Sequence, residues 1–374
     1  MKKEIIYLVP GFFGFTNLGS LNYFRGVKEV LQNFLKKDNS EFKIVECSTQ
    51  PTGSITKRSV ILLEQVIQSG GMEADSLHFI GHSTGGLDVR LLLTPHVKLS
   101  PYDYEKTIGS ITKTATFIST PHYGTPLANY FTTIQGKHLL QILSLLATKS
   151  GGKHLVFLAA KILSMVAKLD DWTGRKETFL DELSNKLLNK MSLKKNDPLF
   201  GFLEEVASDQ GAIIQLTPEG MNLFNAAVSM KPEISYNSII TATPAPSITN
   251  LIKNLQDTQS AVTGSLFLWL HLLAGREHRH YPYPYPDEER MKQINKEHDF
   301  IFNKRANDGI VPALSQIYGE KIFAVRSDHL DVVGQYENAQ GNKHSDWLPS
   351  GSGFDKTRFA KIWQQVASFI LQKV

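Results

Sequence analysis

Residues 76–86 of the chain read SLHFIGHSTGG, an apolar run followed by a glycine-rich turn. Residues 76–80 form a short apolar run that is typical of a buried strand. Residues 84–94 are predicted to form a helix that stops at Pro95. A tight turn with Ser83 at its centre therefore joins a strand to a helix.

The pattern Gly-x-Ser-x-Gly at this turn is typical of a nucleophilic serine. The serine stands on a strained turn, and glycines on both sides let the strand and the helix approach closely. The N-terminus of the helix supplies N–H groups where negative charge would develop. The alternative is a turn that uses glycine for its geometry alone. The order of strand, serine and helix favours a nucleophile at Ser83.

A serine hydroxyl is a weak nucleophile until a base takes its proton. In folds with this turn, the acid and the base follow the serine in that order along the chain. Asp308 lies in the turn sequence NDGIVP, and His329 follows the last predicted strand, residues 321–326. We therefore expect Ser83, Asp308 and His329 to form a catalytic triad.

Other residues compete with His329 and Asp308 for these two roles. His344 is the alternative base, although it lies beyond a further loop. The alternative acids are Asp299, Asp328 and Asp331. Asp328 adjoins His329, and neighbours in sequence rarely face each other.

The oxyanion of such a reaction needs two N–H donors. We expect one of them to be the amide after the nucleophile, that of Thr84. The other should come from the loop PGFFG at residues 10–14, where Phe12 is our choice. Gly11 and Gly14 let that backbone approach a substrate. An ordinary glycine turn is the alternative interpretation of this loop.

Strands and helices are predicted to alternate on both sides of this turn. Strands are predicted at residues 5–9, 42–48, 76–80, 113–119, 234–242 and 321–326, and helices at residues 21–37, 56–69, 84–94, 265–275 and 355–373. The alternation implies an α/β fold whose mostly parallel sheet has right-handed crossovers. The segment YPYPYP at 281–286 is excluded as a central strand.

The chain between the fourth and fifth strands is predicted to be helical and amphipathic. We assign residues 1–126 and 231–374 to the core and residues 127–230 to a helical lid. The insertion carries a set of apolar side chains, Leu139, Leu140, Ile142, Leu143, Leu145 and Leu146. They could close an acyl pocket, or contact lipid when the lid opens. The alternative is that these side chains simply belong to a packed core.

Composition excludes several classes of protein. Apolar residues make up 41% and charged residues 20% of the chain, which is typical of a globular protein. The net charge is +4 with no basic block, so nucleic acid is not an expected partner. The single cysteine, Cys47, excludes an internal disulfide framework. Residues 278 and 280 are histidines near acidic residues 287–289, which is a weak zinc signal.

No apolar run reaches the roughly 18 residues that would span a bilayer. The N-terminal sequence MKKEIIYLVPGFFGF superficially resembles a leader peptide. Its apolar run is short, Pro10 and Gly11 break it, and no cleavage site follows. We therefore interpret it as a first strand, and expect a cytoplasmic protein or one that is exported without a cleaved signal peptide.

Taken in order, the motifs of the chain resemble those of lipases and esterases of the α/β-hydrolase fold, in particular bacterial triacylglycerol lipases. They are PGFFG (10–14), GHSTGG (81–86), STPHYGTPLA (119–128), LTPEGMNLFN (216–225), NDGIVP (307–312) and DHLDVVGQ (328–335). The resemblance implies an α/β-hydrolase fold with a lid and the hydrolysis of acyl-lipid esters. It also implies Ser83 as nucleophile, Asp308 as acid, His329 as base, and Phe12 and Thr84 as oxyanion donors.

In these lipases the segment after the catalytic histidine also holds a structural calcium ion. Asp331 and Gln335 match the ligand positions, and Asp287 is the nearest candidate for a further aspartate. Calcium takes about six to eight oxygen ligands. The resemblance thus implies a structural calcium, whereas the reaction itself needs no cofactor.

Two kinds of alternative function remain open at this point. A phospholipase or an acyltransferase needs the same triad and differs only in pocket shape and water access. A non-catalytic protein that binds acyl lipids or another partner could keep the fold without the activity.

Overall fold

The computed structural model describes residues 1–12, 17–18, 21–36, 40–132, 209, 211–246, 258–278, 283–297, 302–336 and 350–374. Several predicted features lie outside these residues. They are Gly14, the six apolar side chains of the predicted lid from Leu139 to Leu146, His280, Asp299 and His344.

The strands of the described chain form a six-stranded sheet and a small hairpin. They are β1 (Lys2–Val9), β2 (Asn17–Leu18), β3 (Leu21–Asn22), β4 (Ser40–Glu46), β5 (Ser76–His82), β6 (Thr112–Ile118), β7 (Ser235–Ala242) and β8 (Lys321–Arg326). The six-stranded sheet has the order β4-β1-β5-β6-β7-β8, and every neighbouring pair is parallel. β2 and β3 form a short antiparallel pair.

Helices follow most of these strands and cover both faces of the sheet. They are α1 (Val27–Phe34), α2 (Ile55–Gln68), α3 (Thr84–Leu92), α4 (Tyr104–Ile111), α5 (Pro126–Phe131), α6 (Gly211–Gln215), α7 (Pro218–Ala227), α8 (Thr258–Ala274), α9 (Glu288–Glu297) and α10 (Lys356–Leu371). Short 3₁₀ turns lie at Gly71–Glu73, Ala313–Gln316 and Asp331–Val333. No helix within the described residues is long and apolar enough to cross a bilayer.

The sheet separates two hydrophobic cores, and alternate side chains of β1 enter each of them. Ile6 and Leu8 pack with α1 and α10, whose largest buried side chain is Trp363. Tyr7 and Val9 pack on the other face with α2 and α3. Apolar cover on both faces explains why these strands are continuous apolar runs rather than alternating ones.

The connections change direction between β1 and β5, which are neighbours in the sheet. α1 follows β1 onto one face, whereas α3 follows β5 onto the opposite face. In such sheets the carboxyl ends of the two strands open into a crevice where ligands bind. The loops that start at Pro10 and at Ser83 both leave the sheet at this crevice.

The structure confirms the parallel sheet and all six of its predicted strands, with small shifts at their ends. The first helix is shorter than predicted because residues 21–22 pair with β2 instead. Gly26 then adopts φ 70° in the left-handed region, so helical geometry begins only at Val27. Two helices, α4 and α9, were not predicted.

The described ends of the predicted lid pack on the core. One apolar cluster contains Ala128 of α5, Met221 of α7 and Leu216 between α6 and α7. Ile55 of α2 and Leu87 of α3 belong to the same cluster. The middle of the insertion, residues 133–208, lies outside the described residues, so the lid boundaries at 127 and 230 stay a prediction.

Candidate active site

The turn at Ser83 has the strained geometry that its sequence predicts. Ser83 adopts φ 54° and ψ −130°, a region that costs a non-glycine residue about 1–3 kcal/mol. Its N–H donates to the Ile118 carbonyl at 2.9 Å, and its carbonyl accepts from the Gly86 N–H at 3.1 Å. A Cβ on Gly81 would lie 2.5 Å from the Gly86 Cα, so the turn requires glycine there.

The structure brings Ser83, His329 and Asp308 together at the carboxyl edge of the sheet. The Nε2 atom of His329 lies 2.9 Å from the Ser83 Oγ. The Nδ1 atom of His329 lies 2.8 Å from Asp308 Oδ2. Ser83 is 4% exposed, His329 7% and Asp308 0%, so the hydrogen bonds are screened from bulk water. The imidazole thus bridges the carboxylate and the hydroxyl.

The Asp308 carboxylate is held by a dense set of donors. Its Oδ1 accepts from the N–H groups of Ile310 at 3.0 Å and Val311 at 2.7 Å. Its Oδ2 accepts from the Thr241 hydroxyl at 2.8 Å and from Gln316 Nε2 at 3.3 Å. Hydrogen bonds to the charged form of a carboxylate favour that form. The donors therefore fix the position of both carboxylate oxygens behind the His329 ring.

Thr241 is itself supported by the strand next to it. Its hydroxyl lies 2.7 Å from the Ser119 hydroxyl. Ser119 directly follows β6, and its backbone adopts φ 52°. The Thr241 hydroxyl donates its one proton to Asp308, so it accepts from Ser119. A hydrogen-bonded path therefore runs from Ser119 to the carboxylate across two neighbouring strands.

The loop after β1 lies directly against the nucleophile. A Cβ on Gly11 would collide with the Cβ of Ser83, so only glycine fits at this approach. Phe12 follows and packs on the apolar cluster that contains Leu87 of α3. Thr84 begins α3, where the first N–H groups of a helix have no partner within the helix. The two residues predicted as oxyanion donors therefore flank Ser83.

A buried arginine fixes the carbonyl groups of this loop. The Nη2 atom of Arg58 donates to the Pro10 carbonyl at 2.8 Å and to the Gly11 carbonyl at 3.1 Å. The same guanidinium lies 2.8 Å from the Asp88 carboxylate, and both side chains are fully buried. Because the Gly11 carbonyl is turned towards Arg58, the N–H on the other side of that peptide, at Phe12, points the opposite way.

Two of the three rival acids, Asp328 and Asp331, form hydrogen bonds within the loop after His329, and Asp299 lies outside the described residues. The Asp331 carboxylate accepts from the Asp328 N–H at 2.9 Å and from the Ser352 hydroxyl at 2.8 Å. Asp328 accepts from the Leu330 and Asp331 N–H groups. Burial, together with the neighbouring Asp328 charge, raises the pKa of Asp331 well above its usual value.

The predicted calcium ligands have different hydrogen-bond partners within the described part of the chain. Gln335 donates from its amide nitrogen to the Asn22 carbonyl at 2.7 Å. Asp287 accepts from the Arg290 N–H at 2.8 Å and begins α9. No three His, Cys, Asp or Glu side chains gather as metal ligands among the described residues. A structural calcium held by Asp331, Gln335 and Asp287 stays a prediction.

Several residues of this site were absent from the sequence analysis, namely Thr241, Gln316, Ser119, Arg58 and Asp88. A signal existed for Arg58 alone: its charge falls among the apolar positions of a predicted helix. The others are short polar residues at strand ends or in loops, and only the tertiary fold brings them to the site.

Comparison with known proteins adds three findings. No protein-family model matches the chain. Triacylglycerol lipase 2 of Saccharomyces cerevisiae is 34% identical over 122 residues, which are 31% of this chain and 32% of that protein. The match thus spans about a third of the length of this curated relative.

Solved structures that align with nearly the whole chain include two bacterial proteins. Lipase 1 from Pelosinus fermentans aligns with a TM-score of 0.52 and 16% identity, over 98% of this chain and 99% of that one. EstA from Clostridium botulinum aligns with a TM-score of 0.51 and 18% identity, over 98% and 86%. At such low identity the likeness shows the fold alone. It confirms the α/β-hydrolase fold that the motifs indicate, and the printed names of the matched proteins agree with the resemblance to lipases and esterases.

Proposed function

We propose that this chain is a serine hydrolase that cleaves carboxylic esters, with acyl-lipid esters as its substrate class. The observation that carries the proposal is the continuous path from Asp308 through His329 to Ser83, with contacts of 2.8 and 2.9 Å. The path ends on a strained serine at the crevice of a parallel sheet, where ligands of such folds bind.

His329 takes the proton of the Ser83 hydroxyl as the oxygen attacks the ester carbonyl. Asp308 holds the imidazole with its proton on Nδ1 and stabilises the imidazolium ion that forms. His329 then gives the proton to the leaving alcohol, and an acyl group remains on Ser83. A water molecule, activated by the same imidazole, releases the acid and restores the hydroxyl.

The N–H groups of Phe12 and Thr84 stabilise the oxyanion in both steps. Each is preorganised, since Arg58 fixes the peptide before Phe12 and the start of α3 fixes Thr84. Loss of one such donor typically costs about 3–4 kcal/mol of transition-state stabilisation.

Apolar surface near the crevice favours an acyl-lipid substrate. α5 follows β6 at this edge and contacts both α6 and α8. Large apolar side chains are exposed on α6, α7 and α8: Ile214, Leu223 and Leu272. Exposed apolar side chains on these helices suit the fatty chain of a substrate or a lipid surface. A transient contact with a lipid interface through the insertion 127–230 belongs to the same proposal.

The proposal is tested with a panel of p-nitrophenyl esters of increasing chain length, beside a triglyceride and a phospholipid. We expect hydrolysis by the wild-type chain and none above background by Ser83→Ala with an unchanged circular dichroism spectrum. A fluorophosphonate probe should label the wild type and leave the variant unlabelled. Equal turnover by the two proteins would refute the role of Ser83 as the nucleophile. A wild type that the probe does not label would favour a non-catalytic protein.

A further inference from the structure

The residue before the nucleophile, His82, is completely buried and uses both nitrogens of its ring. Its Nδ1 atom lies 2.7 Å from the Tyr23 hydroxyl. Its Nε2 atom lies 2.8 Å from the backbone carbonyl of His329. His82 therefore joins the hairpin region before α1 to the loop that carries the base.

The proton positions along this path follow from the chemistry of its ends. A carbonyl only accepts, so His82 Nε2 carries the proton and donates to His329. The neutral ring then accepts at Nδ1, and the Tyr23 hydroxyl donates to it. The Tyr23 oxygen in turn accepts from the Gly11 N–H at 2.8 Å. One direction of hydrogen bonding thus runs from Gly11 through Tyr23 and His82 to His329.

The surroundings preserve this arrangement of protons. Burial lowers the pKa of His82 well below its usual value, and the nearby His329 ring lowers it further. Burial likewise raises the pKa of Tyr23 above its usual value. The imidazole therefore stays neutral and the phenol stays protonated over the range in which esterases work.

The two ends of the path are the two parts of the site that must be aligned around Ser83. Gly11 precedes the predicted oxyanion donor Phe12 and packs against Ser83. His329 supplies the base, and its own N–H donates to the Asp308 carbonyl at 3.1 Å. Neither Tyr23 nor His82 lies between the base and the nucleophile, so neither takes part in proton transfer.

We propose that Tyr23 and His82 are positioning residues, which together hold the oxyanion loop and the His329 loop at a fixed separation across the nucleophile. The inference rests on the proposed ester hydrolysis. A displacement of about 1 Å in a catalytic group can cost a hundredfold in rate. A path that fixes both loops at once therefore affects the chemical step rather than substrate binding.

Tyr23→Phe tests the pair because it removes only the hydroxyl. We expect kcat for p-nitrophenyl butyrate to fall about 10- to 100-fold with KM unchanged. Tyr7→Phe is the matched control. Tyr7 is also buried, and its hydroxyl bonds to Ser69 at 2.8 Å, at the end of α2. The control should keep the wild-type kcat, and both variants should give the wild-type circular dichroism spectrum.

A second variant separates a coupled pair from two independent structural residues. His82→Gln can still reach the His329 carbonyl but offers Tyr23 no ring nitrogen, so its kcat should fall. In the double variant Tyr23→Phe/His82→Gln the two losses should not multiply, since both break the same path. If Tyr23→Phe does not fold, His82→Gln against wild type supplies the same readout of kcat at constant KM.

The outcomes of the two proposals are distinct. A wild type that hydrolyses no ester faster than Ser83→Ala would overturn the proposed function. An active wild type with equal kcat in Tyr23→Phe and Tyr7→Phe would overturn the positioning role alone. The positioning role would also be overturned if the two losses in kcat multiplied in the double variant, or if only KM changed.

Discussion

The carboxylate of Asp308 shows how single residues of this site depend on short polar neighbours. It is completely buried, and its oxygens accept from two backbone N–H groups and from the Thr241 and Gln316 side chains as well as from His329. A buried charge without such donors would cost several kcal/mol. The donors therefore matter as much for the position of the imidazole as the carboxylate itself does.

Thr241→Val should lower the activity more than the stability. Valine has nearly the same shape and removes only the hydroxyl that donates to Asp308 Oδ2. A hydrogen bond to a charged group is worth about 1.5–3 kcal/mol, so kcat/KM should fall by about one order of magnitude or more. Steady-state kinetics on a short p-nitrophenyl ester would measure it. Thr116→Val, at a buried threonine of β6, is the control, and equal effects of the two changes would contradict a role for Thr241.

At the scale of elements, the ion pair between α2 and α3 links the packing of helices to the active-site loop. Arg58 of α2 and Asp88 of α3 are fully buried and lie 2.8 Å apart. The Nη2 atom of Arg58 also holds the carbonyls of Pro10 and Gly11, and Nη1 donates to the Gln50 carbonyl. The spacing between two helices therefore sets the orientation of the peptide that precedes Phe12.

Arg58→Met should destabilise the fold by about 3–5 kcal/mol, because it leaves the Asp88 charge buried without its partner. Removing both charges in Arg58→Met/Asp88→Leu should restore much of that free energy of unfolding. Hydrolysis should stay low in both variants, since neither holds the Pro10 and Gly11 carbonyls. Urea denaturation and ester kinetics would measure the two effects, and full activity in the double variant would argue against the loop contact.

The elements themselves differ in how far sequence could predict them. Strands such as β1 and β5 are buried on both faces, so their apolar runs are recognisable without a structure. α9 has the polar sequence EERMKQINKE, whose few apolar residues give no clear stripe. α1 begins late because Gly26 turns the backbone, a choice that glycine permits but does not impose.

The residues of the site also differ in how far the sequence could predict them. Ser83, Asp308 and His329 could be placed because their order along the chain and their positions after strands are informative. Tyr23 and Thr241 could not, since hydroxyl groups are common and their role depends on which strands become neighbours. The sheet order β4-β1-β5-β6-β7-β8 supplies that information, and no local pattern contains it.

On the scale of the whole molecule, buried neutral histidines tie stability to pH. Burial lowers the pKa of His82, His122 and His271, and the Arg90 charge adds to the effect at His122. The unfolded chain binds protons at these positions near pH 6.5, whereas the folded chain does not. Their contribution to the free energy of unfolding is therefore fully present above pH 6.5 and is lost as the pH falls below that value.

The three histidines should thus lower the free energy of unfolding between pH 7 and pH 5, each by up to about 1.4 kcal/mol per pH unit, whereas Asp88 and Asp331, whose pKa values burial raises, contribute with the opposite sign. Urea denaturation at several pH values would measure the slope. His122→Gln should flatten it, whereas His96→Gln, at an exposed position, should leave it unchanged. A slope that is the same in all three proteins would contradict this account.

The position of β8 has a consequence for how the protein is made. β8 pairs with β7 at one edge of the sheet, and His329 follows it, so the contact between His329 and Ser83 joins residues 246 positions apart. A nascent chain that has left the ribosome only as far as β7 holds the serine and its turn without the base. Under the proposed mechanism, ester hydrolysis therefore begins only after the last strand has been synthesised and has docked on β7.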